Sequence, residues 1–512
     1  MTKPSSRPAV LASAIALTAA IGVLAQQEPQ SPARRGAVSS GGDESGPGAT
    51  PYVPDEDYLR WPLVPSAQAY APIDGDRLKG YVKEITAISR RYRDKGHQYW
   101  GRIAGTDADA ENAEWMAAKF RAAGLTNVRV QPLDLPPQWM PQSWSVVVSG
   151  AAKSVKLEAV TPEQRLSAAL SGTRDLEVVY VGWGTEADFA GRDVRGKAAF
   201  IYSMPMPGIR TTSATRNGAA SRAIARGAAA VFNVVEMPGN VTGMRSITSG
   251  ADRDKVPAFF VGSRDGAAVR DIIVDAGSGA APRVKIDLDI KMVPGLKTAN
   301  VWGELPGTTD ENIIVIAHRD GFYDGAADNA SGMATQLGLA EYFAKIPAAR
   351  RRRTIRFVAT SGHHSTAVGI QWLADNKETV FAKTALLINC EHTSLTQMYG
   401  PGGQVKSNLQ AAHSLYVTPG PLTPIVLDAL KTFGVGTRAG ISASPAGEIG
   451  RVYRFAPSMQ IIEADFYYHT DAETDEVVPP SGLESTTRAY AKMIDEVNKL
   501  SLASLRAAAS TP

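Results

Sequence analysis

The stretch from Asn312 to Glu391 contains NIIVIAHRDG (312–321), DGAADNASG (324–332), TIRFVATSGHH (354–364) and TALLINC (384–390), which runs straight into Glu391 and His392. Three runs rich in Val, Ile and Leu each end at a potential metal ligand. His318 closes the first, His363 and His364 follow the second, and Glu391 closes the third. Between them, Ala330 to Phe343 and Ser365 to Asp375 have the apolar spacing of helices. Alternating β and α segments imply a parallel sheet with right-handed crossovers. Ligands of such sheets bind beyond the carboxyl ends of the strands, where these residues fall.

A chain of 512 residues exceeds one ordinary core, so two domains with terminal extras are expected. A net charge of +3 with no basic face excludes nucleic acid as an implied partner. Arg350 to Arg353 read as a solvated turn. At the N-terminus, Lys3 and Arg7 precede an apolar run from Ala9 to Ala25, the pattern of a secretory signal peptide cleaved after Ala25. A membrane anchor is the alternative, but the run is Ala-rich and short for a spanning helix. The expected protein is exported, periplasmic or extracellular, with no membrane attachment after cleavage. Cys390 is the only cysteine, so no internal disulfide can form, and its apolar setting marks it as a buried small side chain.

Gln26 to Thr50 has the composition of a disordered tether, and Tyr52 to Ile73 that of an irregular arm. Asp74 to Asp94 and Asp107 to Ala123 are helical in spacing, separated by the loop GRIAGT (101–106) and followed by a strand pattern, Asn127 to Leu135. Across 141–290 short Val-rich runs alternate with Gly, Pro and Ser clusters around one helical pattern, Ala219 to Arg226, which reads as a β-rich insertion. Gly191 to Lys197 has phosphate-loop spacing, but Ala198 and a following strand remove the required hydroxyl and helix. The α/β texture of 51–140 resumes over 291–509 and closes with a helix from Ser481 to Ala509.

Of seven histidines, His318, His363, His364 and His392 lie in the opening stretch, and His469 lies in DFYYHTDAETD. Imidazole and carboxylate together are ligand chemistry for zinc and related cations. Each position has a plainer reading: Asp328 as a helix cap, His318 as a hydrogen-bonded strand end, His363 and His364 as loop residues. Glu391, directly after LLINC, needs a buried partner. The combination favours a metal site.

The pattern H-x-D (318–320) followed by GAADNASG (325–332) resembles metallopeptidase family 28, which includes secreted zinc aminopeptidases, glutamate carboxypeptidases and glutaminyl cyclases. The insertion, with VRGKAAFIY its most typical stretch, resembles a protease-associated domain. The resemblance implies a mixed, mainly parallel α/β sheet flanked by helices, and two zinc ions acting on a peptide or amide substrate through a metal-activated water. It assigns His318, Asp328 and Glu391 to one ion and Asp328, His364 and His469 to the other, with Asp328 bridging and Asp320 orienting His318. The family normally shows two glutamates where this chain has His363 and His364. His363 thus occupies the general-base position, with His392 a second group able to move the proton. Three readings follow: a working exopeptidase-like hydrolase, a non-catalytic binding module, and a cyclase-like transferase. Arg451, Tyr453 and Arg454 are candidate contacts for an acidic substrate group. Oligomeric state is not legible.

Overall fold

A computed structural model describes residues 62–206, 212–248, 250–394, 413–463 and 466–507, with backbone alone at 396–399 and 406–409. The expected leader, tether and start of the arm fall outside these residues. All described residues belong to one unit, Pro51–Pro512.

The apolar runs form the middle of a mixed eight-stranded sheet. Its strands are β1 (Thr126–Asp134), β2 (Lys297–Leu305), β3 (Asn312–His318), β4 (Thr354–Thr360), β5 (Thr384–Cys390), β6 (His413–Val417), β7 (Thr437–Ile441) and β8 (Ser458–Ile462). They lie in the order β7-β6-β8-β5-β3-β4-β2-β1. The four central strands β8, β5, β3 and β4 are parallel, with His318 opposite Thr360 in the register. The outer strands β6, β2 and β1 are antiparallel to their inner neighbours.

Every residue of β3 and β5 is buried, because helices cover both faces. Ile313 and Val315 of β3 pack toward α1 (Gly75–Asp94), α2 (Asp107–Ala122), α3 (Ser331–Ala344) and α5 (Pro480–Val497). Ile314 and Ile316 pack on the other face, against Ile370 and Leu373 of α4 (Val368–Asp375). Each such side chain contributes roughly 1.5–3 kcal/mol by leaving water. α4 starts three residues later than its spacing predicts, because Gly362 to Ala367 turn first and Ala367 takes a left-handed φ of 56°.

A second eight-stranded sheet lies between β1 and β2 in the chain, from Gln138–Ser149 to Arg283–Val293. Its apolar heart is a stack of Phe200, Phe232 and Phe259 with centroid spacings of 4.3 and 5.0 Å. It carries a helix that the sequence pattern hides, Ser263–Ala276. The inward positions of that helix include Asp265 and Gly266, which dilute the apolar period; a Cβ at 266 would meet Val234 at 2.1 Å.

The arginine run is not a solvated turn. Arg351 and Arg353 are buried, and Arg353 donates to the Val497 and Leu500 carbonyls and pairs with Glu311 at 2.7 Å. Arg352 donates to the Asn498 carbonyl. These side chains terminate α5 at Val497, so the long C-terminal helix expected from the sequence is two, the second at Leu502–Ala507.

Candidate metal centre

Because β3, β4, β5 and β8 are parallel, their carboxyl ends share one edge of the sheet. His318 ends β3, His363 and His364 follow β4, Glu391 and His392 follow β5, and His469 lies beyond β8. Asp328 enters from the segment between β3 and α3.

Asp328 is the hub of the cluster. Its Oδ1 lies 3.1 Å from His318 Nε2 and 3.1 Å from His392 Nε2. Its Oδ2 lies 2.9 Å from His469 Nε2 and 3.5 Å from His364 Nε2. Glu391 Oε1 stands 3.9 Å from His318 Nε2 and 3.7 Å from His363 Nε2. The ligand atoms of His318, Asp328 and His364 all fall within 4.8 Å of one another, as do those of His318, His363 and Glu391. Of the other two histidines, His97 stacks on Tyr92, and His413 faces the Gly436 carbonyl.

Three of these imidazoles are anchored alike. Nδ1 of His318 meets the Asp320 carbonyl at 3.1 Å, that of His392 the Glu463 carbonyl at 2.5 Å, and that of His469 the Met244 carbonyl at 3.2 Å. A carbonyl only accepts, so each Nδ1 carries the proton, and a neutral ring then turns the Nε2 lone pair toward Asp328. Lone pairs facing a carboxylate repel unless a proton or a cation lies between them. His392 and His469 reach these positions with left-handed φ values of 51° and 60°, a strain of about 1–3 kcal/mol each that the anchored rings help to hold.

The donor set fits zinc. His318 Nε2, Asp328 Oδ1 and His364 Nε2 are buried with no hydrogen-bond partner among the described residues. Zinc bonds of about 2.0–2.1 Å in a tetrahedron place neighbouring ligand atoms roughly 3.3 Å apart. The four distances around Asp328 bracket that value.

Without a cation, charge settles on one pair. Burial opposes an imidazolium at His318, but Asp328, Glu391 and Asp320 outweigh it and push the ring up to about 10. Asp328 is held well below the usual carboxylate range: burial would raise it, and the surrounding imidazoles prevail. Burial and the His318 charge push His363 down to about 4, and burial takes His364 well below its ordinary value.

Asp320 has two separate contacts here. Its main-chain carbonyl holds the His318 ring, while its carboxylate accepts the backbone N–H groups of His363 and His364 at 3.1 and 2.9 Å. Buried Arg102, from the GRIAGT loop, donates to the carbonyls of Arg319, Asp324 and Gly325 and so braces the segment before Asp328. Glu473 accepts from the backbone N–H groups of Asp328 and His469. The second sheet contributes as well. Its segment Thr242 to Arg245 grips Tyr468 to Asp471 through a bridge between Gly243 and Thr470, mutual bonds of Met244 and His469, and Arg245 on the Tyr468 carbonyl.

Glu448 has no evident role in the sequence alone. It is buried beside Glu391, donating its N–H to Glu391 Oε2 at 3.1 Å and accepting from Thr360 at 2.6 Å. Burial pushes its carboxyl up to about 8. A lone carboxylate among the small and apolar residues of GEIG was the available signal. Arg451 instead bonds Gln371, and Arg454 lies over its neighbour Tyr453. A cavity of about 470 Å³ opens on His364, walled by Tyr99, Ile103, Trp139, Leu166 and Met292.

Residues 300–405 match Peptidase family M28. A probable glutamate carboxypeptidase from Zea mays is 26% identical over 351 residues, 56% of this chain and 48% of that protein. The chain thus spans about half the length of the curated relative it matches. Among solved structures, a zinc aminopeptidase from Bacillus subtilis superposes with a TM-score of 0.60 at 17% identity, covering 85% of this chain and 98% of that one. A Peptidase M28 precursor from Shewanella amazonensis gives 0.63 at 18% identity, covering 84% and 95%. At these identities the two structures speak to the fold, which is the mixed α/β sheet flanked by helices that they share with this protein. The stretch that carries His318, Asp328 and Glu391 is thus the part of this chain that matches Peptidase family M28.

Proposed function

We propose that this protein is a zinc-dependent hydrolase of peptide or related amide bonds, most simply an exopeptidase. The observation that carries the reading is the set of Nδ1-anchored imidazoles whose Nε2 atoms converge on the buried Asp328. In this reading His318, Asp328 and Glu391 hold one ion, and Asp328, His364 and His469 the other. Zinc bound there supplies Lewis acidity and water activation. His363, whose side chain is 15% exposed at the edge of the cluster and 3.7 Å from Glu391, is the residue that moves a proton. Asp320 positions His363 and His364 through their backbone N–H groups. The cavity beside His364 receives a substrate side chain, and its Trp, Tyr, Leu and Met walls favour an apolar one. The β-rich insertion, read as a protease-associated domain, completes the site through the Met244 carbonyl.

A second reading has one observation in its favour: no carboxylate stands where His363 does, so the chain would bind metal without turning over peptides. Elemental analysis of the purified protein tests the shared part. Tightly bound divalent metal that His318→Ala and Asp328→Ala abolish is expected, and a metal-free, folded wild type would overturn both readings. A screen of aminoacyl and peptide substrates then separates them, and His363→Glu combined with His364→Glu should raise peptidase activity if only proton transfer is compromised.

A further inference from the structure

The ligand assignment above does not include His392, which the sequence offers only as a second group able to move a proton, yet its Nε2 is as near to Asp328 as that of His318. We infer that His392 is itself a metal ligand, so that each oxygen of Asp328 is flanked by two imidazoles: His318 and His392 on Oδ1, His364 and His469 on Oδ2. The inference rests on the zinc reading and changes the shell within it.

Three observations carry it. The 3.1 Å separation of His392 Nε2 from Asp328 Oδ1 matches the roughly 3.3 Å edge of a zinc tetrahedron. The ring is fixed by the 2.5 Å contact of Nδ1 with the Glu463 carbonyl, which leaves Nε2 as the coordinating atom. The backbone is fixed too, because the His392 N–H donates to Asn329 Oδ1 at 3.1 Å while the residue holds its left-handed φ. The side chain is 3% exposed and held at both ends, so its Nε2 stays directed at Asp328.

Glu391 is placed differently. Its Oε2 accepts from Asn389 Nδ2 at 2.7 Å and from the Glu448 N–H, and its Oε1 stays 3.9 Å from His318 Nε2. In the revised shell each ion has two imidazoles and one oxygen of Asp328. That is the three-ligand count of a catalytic zinc, with a position left for substrate or water. Glu391 and His363 would then lie outside the ligand set, 3.7 Å from each other. Four imidazoles around one carboxylate also favour zinc over magnesium or calcium, which prefer oxygen ligands.

The test uses the full chain, stripped of metal and titrated with Co²⁺ and Zn²⁺ against a competing chelator. Wild type should bind two ions, and pulsed electron paramagnetic resonance or X-ray absorption should count four coordinated imidazoles. His392→Ala should weaken one ion at least about 100-fold while the other is retained, and His392→Asp should recover part of that loss. His97→Ala, outside the cluster, should change nothing. Three or fewer coordinated imidazoles in wild type, or a folded His392→Ala holding both ions within threefold of wild type, would overturn the role of His392 and leave the zinc reading intact. A wild type that binds neither ion would overturn the zinc reading itself.

Discussion

Asn329 ties the ends of the metal-bearing strands together, and its removal is the most informative structural perturbation. Its Nδ2 donates to the carbonyls of His318 and Cys390 at 3.2 and 2.9 Å, and its Oδ1 accepts the N–H groups of Gly332 and His392 at 3.2 and 3.1 Å. One fully buried amide therefore joins the end of β3, the end of β5 and the first turn of α3. Asn329→Ala strands two carbonyls and two N–H groups. A buried group left unpaired costs about 1–3 kcal/mol. Carbonyls tolerate partial satisfaction better than N–H groups, so a total of about 3–5 kcal/mol is expected, a large share of the 5–15 kcal/mol that stabilises a typical protein. Asn329→Asp keeps the two accepted bonds but turns a buried carboxylate oxygen toward the His318 and Cys390 carbonyls, and should be no more stable than the Ala variant at neutral pH. Urea unfolding of the metal-free chain measures the stability, and chelator competition measures the ions. An Ala variant within 1 kcal/mol of wild type with unchanged metal affinity would refute the argument that this amide sets the spacing of His318 and His392.

The remaining predictions concern separate parts of the molecule. Asp320→Ala frees the His363 and His364 backbone and should weaken metal binding roughly 10- to 100-fold, measured by the same competition, with the fold retained by circular dichroism. Arg353→Met leaves Glu311 and the end of α5 without their guanidinium and should lower stability by about 2–4 kcal/mol, with metal stoichiometry unchanged. Met292→Trp fills the cavity beside His364 from its solvent-exposed lip. If the proposed activity is found, it should raise KM for bulky apolar substrates roughly tenfold and leave small ones little affected.

The sheet was legible because β3 and β5 are buried from end to end, and burial on both faces writes itself as unbroken Val, Ile and Leu. That the His and Glu residues after β3, β4 and β5 share an edge followed from the strands being parallel. What the sequence does not display is contact between distant segments. Arg353 looks like a solvent residue in a run of four, and only the end of α5 gives it a reason to be buried. Ser263–Ala276 hides its helical period because small and polar residues face inward. Glu448 stands in a segment without histidine, and nothing local reveals that it turns toward the cluster in which the sequence already places His392. Asp320 shows the same limit: the spacing H-x-D does not reveal that its carbonyl, rather than its carboxylate, meets the His318 ring.

The grip of Thr242 to Arg245 on Tyr468 to Asp471 makes the inserted sheet a participant in an equilibrium. Met244 fixes the tautomer of His469, so any cation that draws on the His469 lone pair also draws on the docking of the second sheet. Coupling of this kind is reciprocal: whatever free energy docking adds to cation affinity, the cation returns to docking. Loading the centre should therefore slow hydrogen exchange at Met244, on a segment remote in sequence from every histidine of the cluster.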